Sequence, residues 1–443
     1  GNGGWGGWGG WGGPDDDDVG AGGTGGGAGN NDADAGEDGE DGFSTMTMTY
    51  GLAAGNYYDY GCTAELTNCV ISYNQGASPD LNVIDDGDGS GEYYAGSNKA
   101  VLTGCQFIGN WGWYGGGQYF GFGSTVEVYD CNYVDNFATY ADGGGLYVGM
   151  DNTLIIEDSK FIHNVSAQGL GGGVARGPCT LNEGVAHVTR TLFARNKAGF
   201  GGGLNWWCDG SDTKIEDCSF VANVASHGGG LFWAGNKPHI VGCTIINNKA
   251  EGATLRFPVP SFELVGYTSV MEDMEAKGMY GGGGGFFCLS SDATIEDCYI
   301  SGNSTTGSGG GVYLAGDPNV PVLRNCLIKD NSAVIAGGGI ASNWYITPKI
   351  ANCTIVNNSV SDPRDEDRGY GGGVSCSYES DTLVTDCILW GNAGVHGDQI
   401  AIGSIAGATG LDRPAILSVA YCDVQGGQGG IHVEPGRTLN WLD

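Results

Sequence analysis

Val128-Tyr129-Asp130-Cys131-Asn132-Tyr133-Val134-Asp135-Asn136 returns as Ile156-Glu157-Asp158-Ser159-Lys160-Phe161-Ile162-His163-Asn164, and again as Ile215-Glu216-Asp217-Cys218-Ser219-Phe220-Val221-Ala222-Asn223. An aliphatic residue leads. Cys, Ser or Thr follows three residues later, a ring or aliphatic residue two after that, and Asn three further on. The string occurs twelve times, at Cys69, Cys105, Cys131, Ser159, Thr191, Cys218, Cys243, Cys298, Cys326, Cys353, Cys387 and Cys422, and Asn closes eleven of them. A Gly triplet followed by an apolar residue, such as Gly143-Gly144-Gly145-Leu146, separates most copies. One structural unit is being reused.

The shortest spacings between copies cluster at 25 to 28 residues. Within a copy, β-branched runs such as Thr153-Leu154-Ile155-Ile156 are bounded by Gly, Asp and Asn, and no amphipathic helix of useful length appears. Helical repeats and leucine-rich repeats with helical backs are excluded. A unit of two or three short strands fits one coil of a parallel β-helix, and about twelve coils at a strand spacing of about 4.8 Å make a rod about 55 Å long. Equivalent residues then pile into files.

The aliphatic file and the ring file fill the interior. Cys105, Cys131, Cys218, Cys243, Cys298, Cys326, Cys353 and Cys387 stack beside them as small polarizable side chains. Asn110, Asn136, Asn164, Asn196, Asn223, Asn248, Asn303, Asn331 and Asn358 form a corner ladder. Asn suits a corner because it tolerates left-handed backbone and bonds turn amides. The Gly triplets mark a second corner, where backbones approach closely.

Gly supplies 87 of 443 residues without a collagen triplet or a heptad, so it serves turns. With 51 acids against 18 bases the net charge is −33, which opposes binding to nucleic acid or anionic lipid. Calcium and cationic surfaces fit that sign. No apolar run is long enough to span a bilayer as a helix. Opening at Gly1 rather than Met implies trimming, by design or by removal of a leader, and a leader predicts an extracellular or cell-surface location. Fifteen cysteines cannot all pair, and ten occupy the repeat position, which argues for packing.

Phe107-Ile108-Gly109-Asn110, Phe161-Ile162-His163-Asn164, Phe193-Ala194-Arg195-Asn196 and Phe220-Val221-Ala222-Asn223, with Gly144-Gly145-Leu146 and Gly372-Gly373-Val374, resemble the repeats of polymorphic outer membrane proteins, secreted β-helix adhesins. Gly stands where that family prefers Ala. Ile388-Leu389-Trp390-Gly391-Asn392 and Tyr421-Cys422-Asp423-Val424-Gln425-Gly426-Gly427 look like secreted right-handed β-helix proteins of planctomycete-type bacteria. The resemblance spans about residues 62 to 443 and implies an all-β, single-stranded, right-handed parallel β-helix.

Residues 1–42 are a Gly/Trp/Asp-rich tail, with Trp5, Trp8 and Trp11 three apart on one edge of an extended three-fold helix. They are the expected self-association residues, docking on a neighbouring copy. The β-helix is expected over 43–443, with insertions at 75–98 and 249–280. In the first, Asp86, Asp88, Ser90 and Glu92 alternate as oxygen donors, a pattern that suits calcium. A plain solvated acidic turn is the competing account. Asp32, Asp34, Glu37 and Asp38 are a weaker calcium set.

Three functions remain open. The favoured one is a secreted structural protein, a non-enzymatic homopolymer subunit assembled head-to-tail into a filament. The alternatives are a cell-surface adhesin binding surface or matrix glycans, and a polysaccharide lyase or hydrolase. For the last, Asp85-Asp86, Arg195-x-Lys197 and His227-Gly228 are individually similar to pectin hydrolase motifs, but their order along the chain differs. No Ser/His/Asp set or metal-spaced histidines stand out. Off the repeat file, Cys179 and Cys208 sit about one coil apart, so a disulfide is feasible there.

Overall fold

The structure is a computed structural model. It describes residues 45–48, 51–53, 56–58, 60–74, 91–112, 115–139, 142–167, 169–177, 185–207, 213–235, 237–252, 281–316, 319–361, 369–403 and 414–442. Trp5, Trp8, Trp11, Asp32, Asp34, Glu37, Asp38, Asp86, Asp88, Ser90, Cys179 and Cys208 lie outside the described residues.

One winding shows how the repeat folds. Thr125–Tyr129 carries the aliphatic file, Asn132–Val134 the ring file, Phe137–Ala138 a short third strand, and Leu146–Val148 follows the Gly triplet; Thr153–Glu157 opens the next winding. Each strand pairs in parallel with its equivalent one winding away. Among the described residues four sheets result: an aliphatic sheet of fourteen strands, a ring sheet and a post-glycine sheet of thirteen each, and a short sheet of nine. Among the described residues no α-helix occurs, only a 3₁₀ turn at Gly427–Gly430.

The described residues form thirteen windings, in keeping with the about twelve expected, with a fourteenth aliphatic strand at Thr438–Leu442. The extra winding is Thr45–Met48, Gly51–Ala53 and Asn56–Tyr58. Gly51 occupies the Cys register there, opposite Cys69, so the repeat string is invisible.

Register places like on like. Val128 lies between Leu102 and Ile156, and Tyr133 between Phe107 and Phe161. The rings of Phe107, Tyr133, Phe161, Phe193 and Phe220 stack at 4.5 to 5.2 Å. All five are fully buried, as are Ile245, Ile300, Ile328, Ile355 and Leu389 further along the file. Each such side chain contributes about 1.5–3 kcal/mol of transfer free energy.

The Cys position has a backbone task. Cys105 N–H donates to Cys131 Sγ at 3.3 Å, Cys131 N–H to Ser159 Oγ at 3.1 Å and Ser159 N–H to Thr191 Oγ1 at 3.4 Å. A small side chain with an acceptor atom is what the corner requires, which explains the Cys/Ser/Thr interchange. The thirteen described cysteines are all free thiols.

The Asn ladder runs without a break from Asn74 to Asn392. Asn136 is typical: Nδ2 donates to Asn164 Oδ1 at 2.9 Å and to Phe107 O at 2.8 Å, and its backbone N–H reaches the same Oδ1 at 3.1 Å. The left-handed backbone falls one residue earlier than expected, at Asp135, His163, Arg195 and Ala222 with φ of 54–58°. A second left-handed residue precedes each Cys, as at Asp130 and Asp158. Gly143, with φ of 73°, opens the third corner.

The two expected insertions are narrower than 75–98 and 249–280. Glu92–Gly96 is a regular post-glycine strand and Lys249–Ala250 a regular short strand.

Candidate binding face

In the windings from Cys69 to Asn392 two corners are fixed in length, because one left-handed residue makes each turn. Length varies elsewhere. Segments 75–90, 253–280 and 362–368 precede a glycine turn, whereas 178–184, 208–212 and 404–413 follow a post-glycine strand. Both groups border the same sheet. On a rigid solenoid, variable connections beside one sheet mark the face that recognises something.

Register gives the outward file of that sheet. In the middle windings it holds Phe232, Phe287 and Tyr313, all fully buried. They form a second hydrophobic cluster outside the solenoid, with Leu170 and Phe200 of the adjoining corner. Sizes are complementary. Where the face carries Phe287 and Tyr313, the corner carries Gly282 and Ser308; a Cβ on Gly282 would lie 2.7 Å from Phe287 and 2.8 Å from Tyr313. Where the corner carries Leu170 and Tyr370, the face carries Ala175 and Ser375. This stretch is filled by the protein itself.

The N-terminal windings differ. Tyr93, Tyr119 and Tyr147 stack along the outward file at 4.6 and 5.0 Å, and all three remain half-buried. At the far end of the same strands Tyr60, Phe122 and Met150 are 50%, 51% and 38% exposed. Tyr60 and Phe122 approach one another across Gly96, where a larger side chain would collide with Tyr60. This is a flat aromatic strip with phenol hydroxyls, on a chain whose net charge is −33. The sequence signal for it is the ring adjacent to each inward residue after the glycine turn, as in Tyr93-Tyr94 and Tyr119-Phe120. It is unreadable until the inward member of each pair is known.

Glu92 corrects the calcium expectation. It is the first residue of a strand and is fully buried inside the solenoid, where Gln118 Nε2 donates to Oε2 at 2.6 Å, Tyr94 OH at 3.1 Å to Oε2 and Asn56 Nδ2 at 3.3 Å to Oε1. Burial pushes its carboxyl up to about 7, opposed by those hydrogen bonds. Both of its oxygens are thus engaged inside the solenoid, whereas Asp86, Asp88 and Ser90 lie outside the described residues. Any calcium at Asp86, Asp88 and Ser90 does without it. Among the described residues no group of three His, Cys, Asp or Glu side chains is placed to hold a metal.

Among the described residues, the motif residues similar to pectin hydrolases, Arg195, Lys197 and His227, are not brought to one cleft. Arg195 is an exposed left-handed corner residue and Lys197 opens a short strand. His227 is buried in the outer cluster with its ring 5.1 Å from Phe200, and Asp85 and Asp86 lie outside the described residues. Cys326 and Cys353 are poor nucleophiles: each is pushed up to about 12, by hydrogen bonding with the neighbouring thiol and then by burial. No described helix is long and apolar enough to cross a membrane.

The model of the right-handed β-helix region matches residues 43–257 and 265–440. This chain belongs to the right-handed β-helix family. The gap in the match falls within segment 253–280, between two regular windings. The handedness implied by the repeat resemblance is therefore that of the family. β-helix domains occur in polysaccharide lyases and in proteins without enzymatic activity alike, so membership fixes the fold and leaves the chemistry to the site. No curated protein matches the chain.

Proposed function

We propose that this β-helix is an extracellular binding protein, an adhesin-like scaffold that lays the outer face of its post-glycine sheet along a neutral glycan chain. The observation that supports this reading is the half-buried Tyr93–Tyr119–Tyr147 file on the sheet that both groups of variable segments adjoin. Aromatic side chains offer apolar area and a hydroxyl at small entropic cost, a combination that suits sugar surfaces. The strongly negative charge disfavours polyanionic glycans. Catalysis is not part of this proposal, since no described carboxylate pair borders the tyrosine file. Affinity electrophoresis through gels containing neutral polysaccharides tests it. The wild-type protein is retarded by at least one, and a Tyr93→Ala/Tyr119→Ala/Tyr147→Ala variant migrates freely. Equal migration of the two proteins in every gel would remove the proposal.

The filament reading rests on Trp5, Trp8 and Trp11. Its test is electron microscopy of the purified protein with and without residues 1–13. Fibres lost on deletion support that reading, and single rods in both samples refute it.

A further inference from the structure

The ring sheet carries an apolar file on its outer side. Ile108, Val134, Ile162, Ala194, Val221 and Ile246 stand in register on six successive windings, each partly exposed. Ser72 precedes the file and Ser301 follows it, so the file is bounded at both ends. At about 4.8 Å per winding it runs about 24 Å. Around the Asn corner the short sheet continues it with Trp111, Phe137 and Val165. Trp111 is 42% exposed and meets Phe137 edge to face at 5.3 Å. A contiguous apolar strip on the outside of so charged a chain marks an interaction surface.

The left-handed residues between the two files carry charge. Asp135, His163 and Arg195 follow one another on three windings, with φ of 55°, 58° and 56°. Asp135 is 61% exposed and lies 3.5 Å from His163 of the next winding. Arg195 is exposed as well and takes part in no ion pair among the described residues, whereas Arg190 and Arg324 both meet acids of adjoining windings. Asp135 and Arg195 stand two windings apart, about 10 Å, with His163 midway. The order acid, imidazole, base is complementary to its own reverse.

We propose that this strip is the interface of a two-fold dimer, in which a second copy packs antiparallel with the axis crossing the winding of His163. Asp135 then faces the partner's Arg195, and Arg195 the partner's Asp135, so one ion pair is made twice. Along the strip Ile162 meets its own equivalent, Val134 meets the partner's Ala194 and Ile108 the partner's Val221, apolar on apolar. Phe137 lies opposite the partner's Lys197, a cation–π pairing. Lys160 is exposed and approaches its equivalent outside the strip, where both ammonium groups stay in water. A parallel arrangement would instead set Asp135 on Asp135 and Arg195 on Arg195. The contact is isologous and closes at two copies, unlike the head-to-tail stacking of a filament. It leaves the post-glycine sheet unused, so it holds whether or not the tyrosine file binds a glycan.

Sedimentation velocity of the full chain from about 1 to about 100 µM reads the assembly. Physiological salt screens the repulsion between two chains of charge −33 beyond about 8 Å. The expected result is a monomer–dimer equilibrium that saturates at two copies. Ile162→Glu, on the outer side of its strand, sets two carboxylates face to face on the axis and leaves only monomer. Asp135→Arg and Arg195→Asp each put like charges opposite one another twice and weaken dimerisation at least about tenfold. An arginine fits the left-handed corner at 135, since Arg195 holds the same conformation. Mixed in equal amounts, the two single variants are complementary at both pairs and form a heterodimer, and the double swap Asp135→Arg/Arg195→Asp regains self-association. A role of these residues in folding alone would not be rescued by mixing. Monomer at every concentration, dimers that survive Ile162→Glu, or a mixture no more associated than its components would each overturn the proposal.

Discussion

Asn164 gives two hydrogen bonds to one atom of Asn196: Nδ2 at 3.1 Å and the backbone N–H at 2.9 Å both meet Asn196 Oδ1. Asn196 Nδ2 in turn donates to Phe161 O at 2.9 Å, back across the winding. A single amide thus satisfies two donors and one acceptor that water cannot reach. Asn196→Ala leaves all three unpaired, so it should lower the unfolding free energy by about 3 kcal/mol. Denaturant titration of the two proteins measures the loss. A change under about 1 kcal/mol would mean that the ladder decorates the corner rather than closing it.

Ala222 holds φ of 54° immediately before Asn223, without the local hydrogen bonds that Asn or Asp would bring. Ala222→Gly relieves that strain and raises the chain entropy of the unfolded state, two opposed effects. The net expectation is a gain of up to about 1 kcal/mol, whereas Gly in a strand interior loses that amount. Thermal unfolding compared with Ala194→Gly, at a partly exposed strand position, as the strand control separates the two cases.

Glu92 sets a pH dependence. Its folded value of about 7 lies above the ordinary 4.5, so the native protein holds this proton more tightly than the unfolded chain does. The contribution is complete below pH 4.5, is lost as pH rises to about 7, and is flat above. The full span is of the order of 3 kcal/mol. Glu92→Gln keeps the shape and cannot ionise. The difference in unfolding free energy between the variant and wild type should therefore grow in favour of the variant from pH 4.5 to 7. A difference independent of pH would show that the carboxyl is solvated.

Thiol labelling probes the inward direction of the Cys file. With Cys326 and Cys353 held near 12 and buried, almost no thiolate exists at pH 8. Native protein should leave both unmodified by iodoacetamide for hours, and denatured protein should react completely, with mass spectrometry assigning the sites. Rapid native labelling of Cys326 would place that side chain outside the solenoid.

Most of the fold was legible because stacking in register makes neighbouring windings share one environment, and a shared environment selects one residue type. Phe161, Phe193 and Phe220 repeat because each ring rests on the next. The first winding was legible only as the start of the β-helix at residue 43, since Gly51 stands in the Cys register and hides the repeat string. The left-handed corners were misplaced by one residue because Asp, His, Arg, Ala and Gly all occupy them, from Asp135 to Gly302. The site was less legible than the fold. Glu92 reads as a solvated acid because it follows an acidic, glycine-rich run, and only the strand register turns it inward. Asp135 and Arg195 had no signal as a pair, since only the register sets them one winding either side of His163.

Nitration of tyrosine by tetranitromethane, with and without a retarding neutral polysaccharide, tests the binding face most directly. Tyr73 and Tyr421, 79% and 70% exposed on other faces, serve as internal controls. The account predicts that ligand protects Tyr119 and Tyr147 while Tyr73 and Tyr421 nitrate unchanged. Protection confined to the control tyrosines, with Tyr119 and Tyr147 equally reactive in both samples, would contradict it.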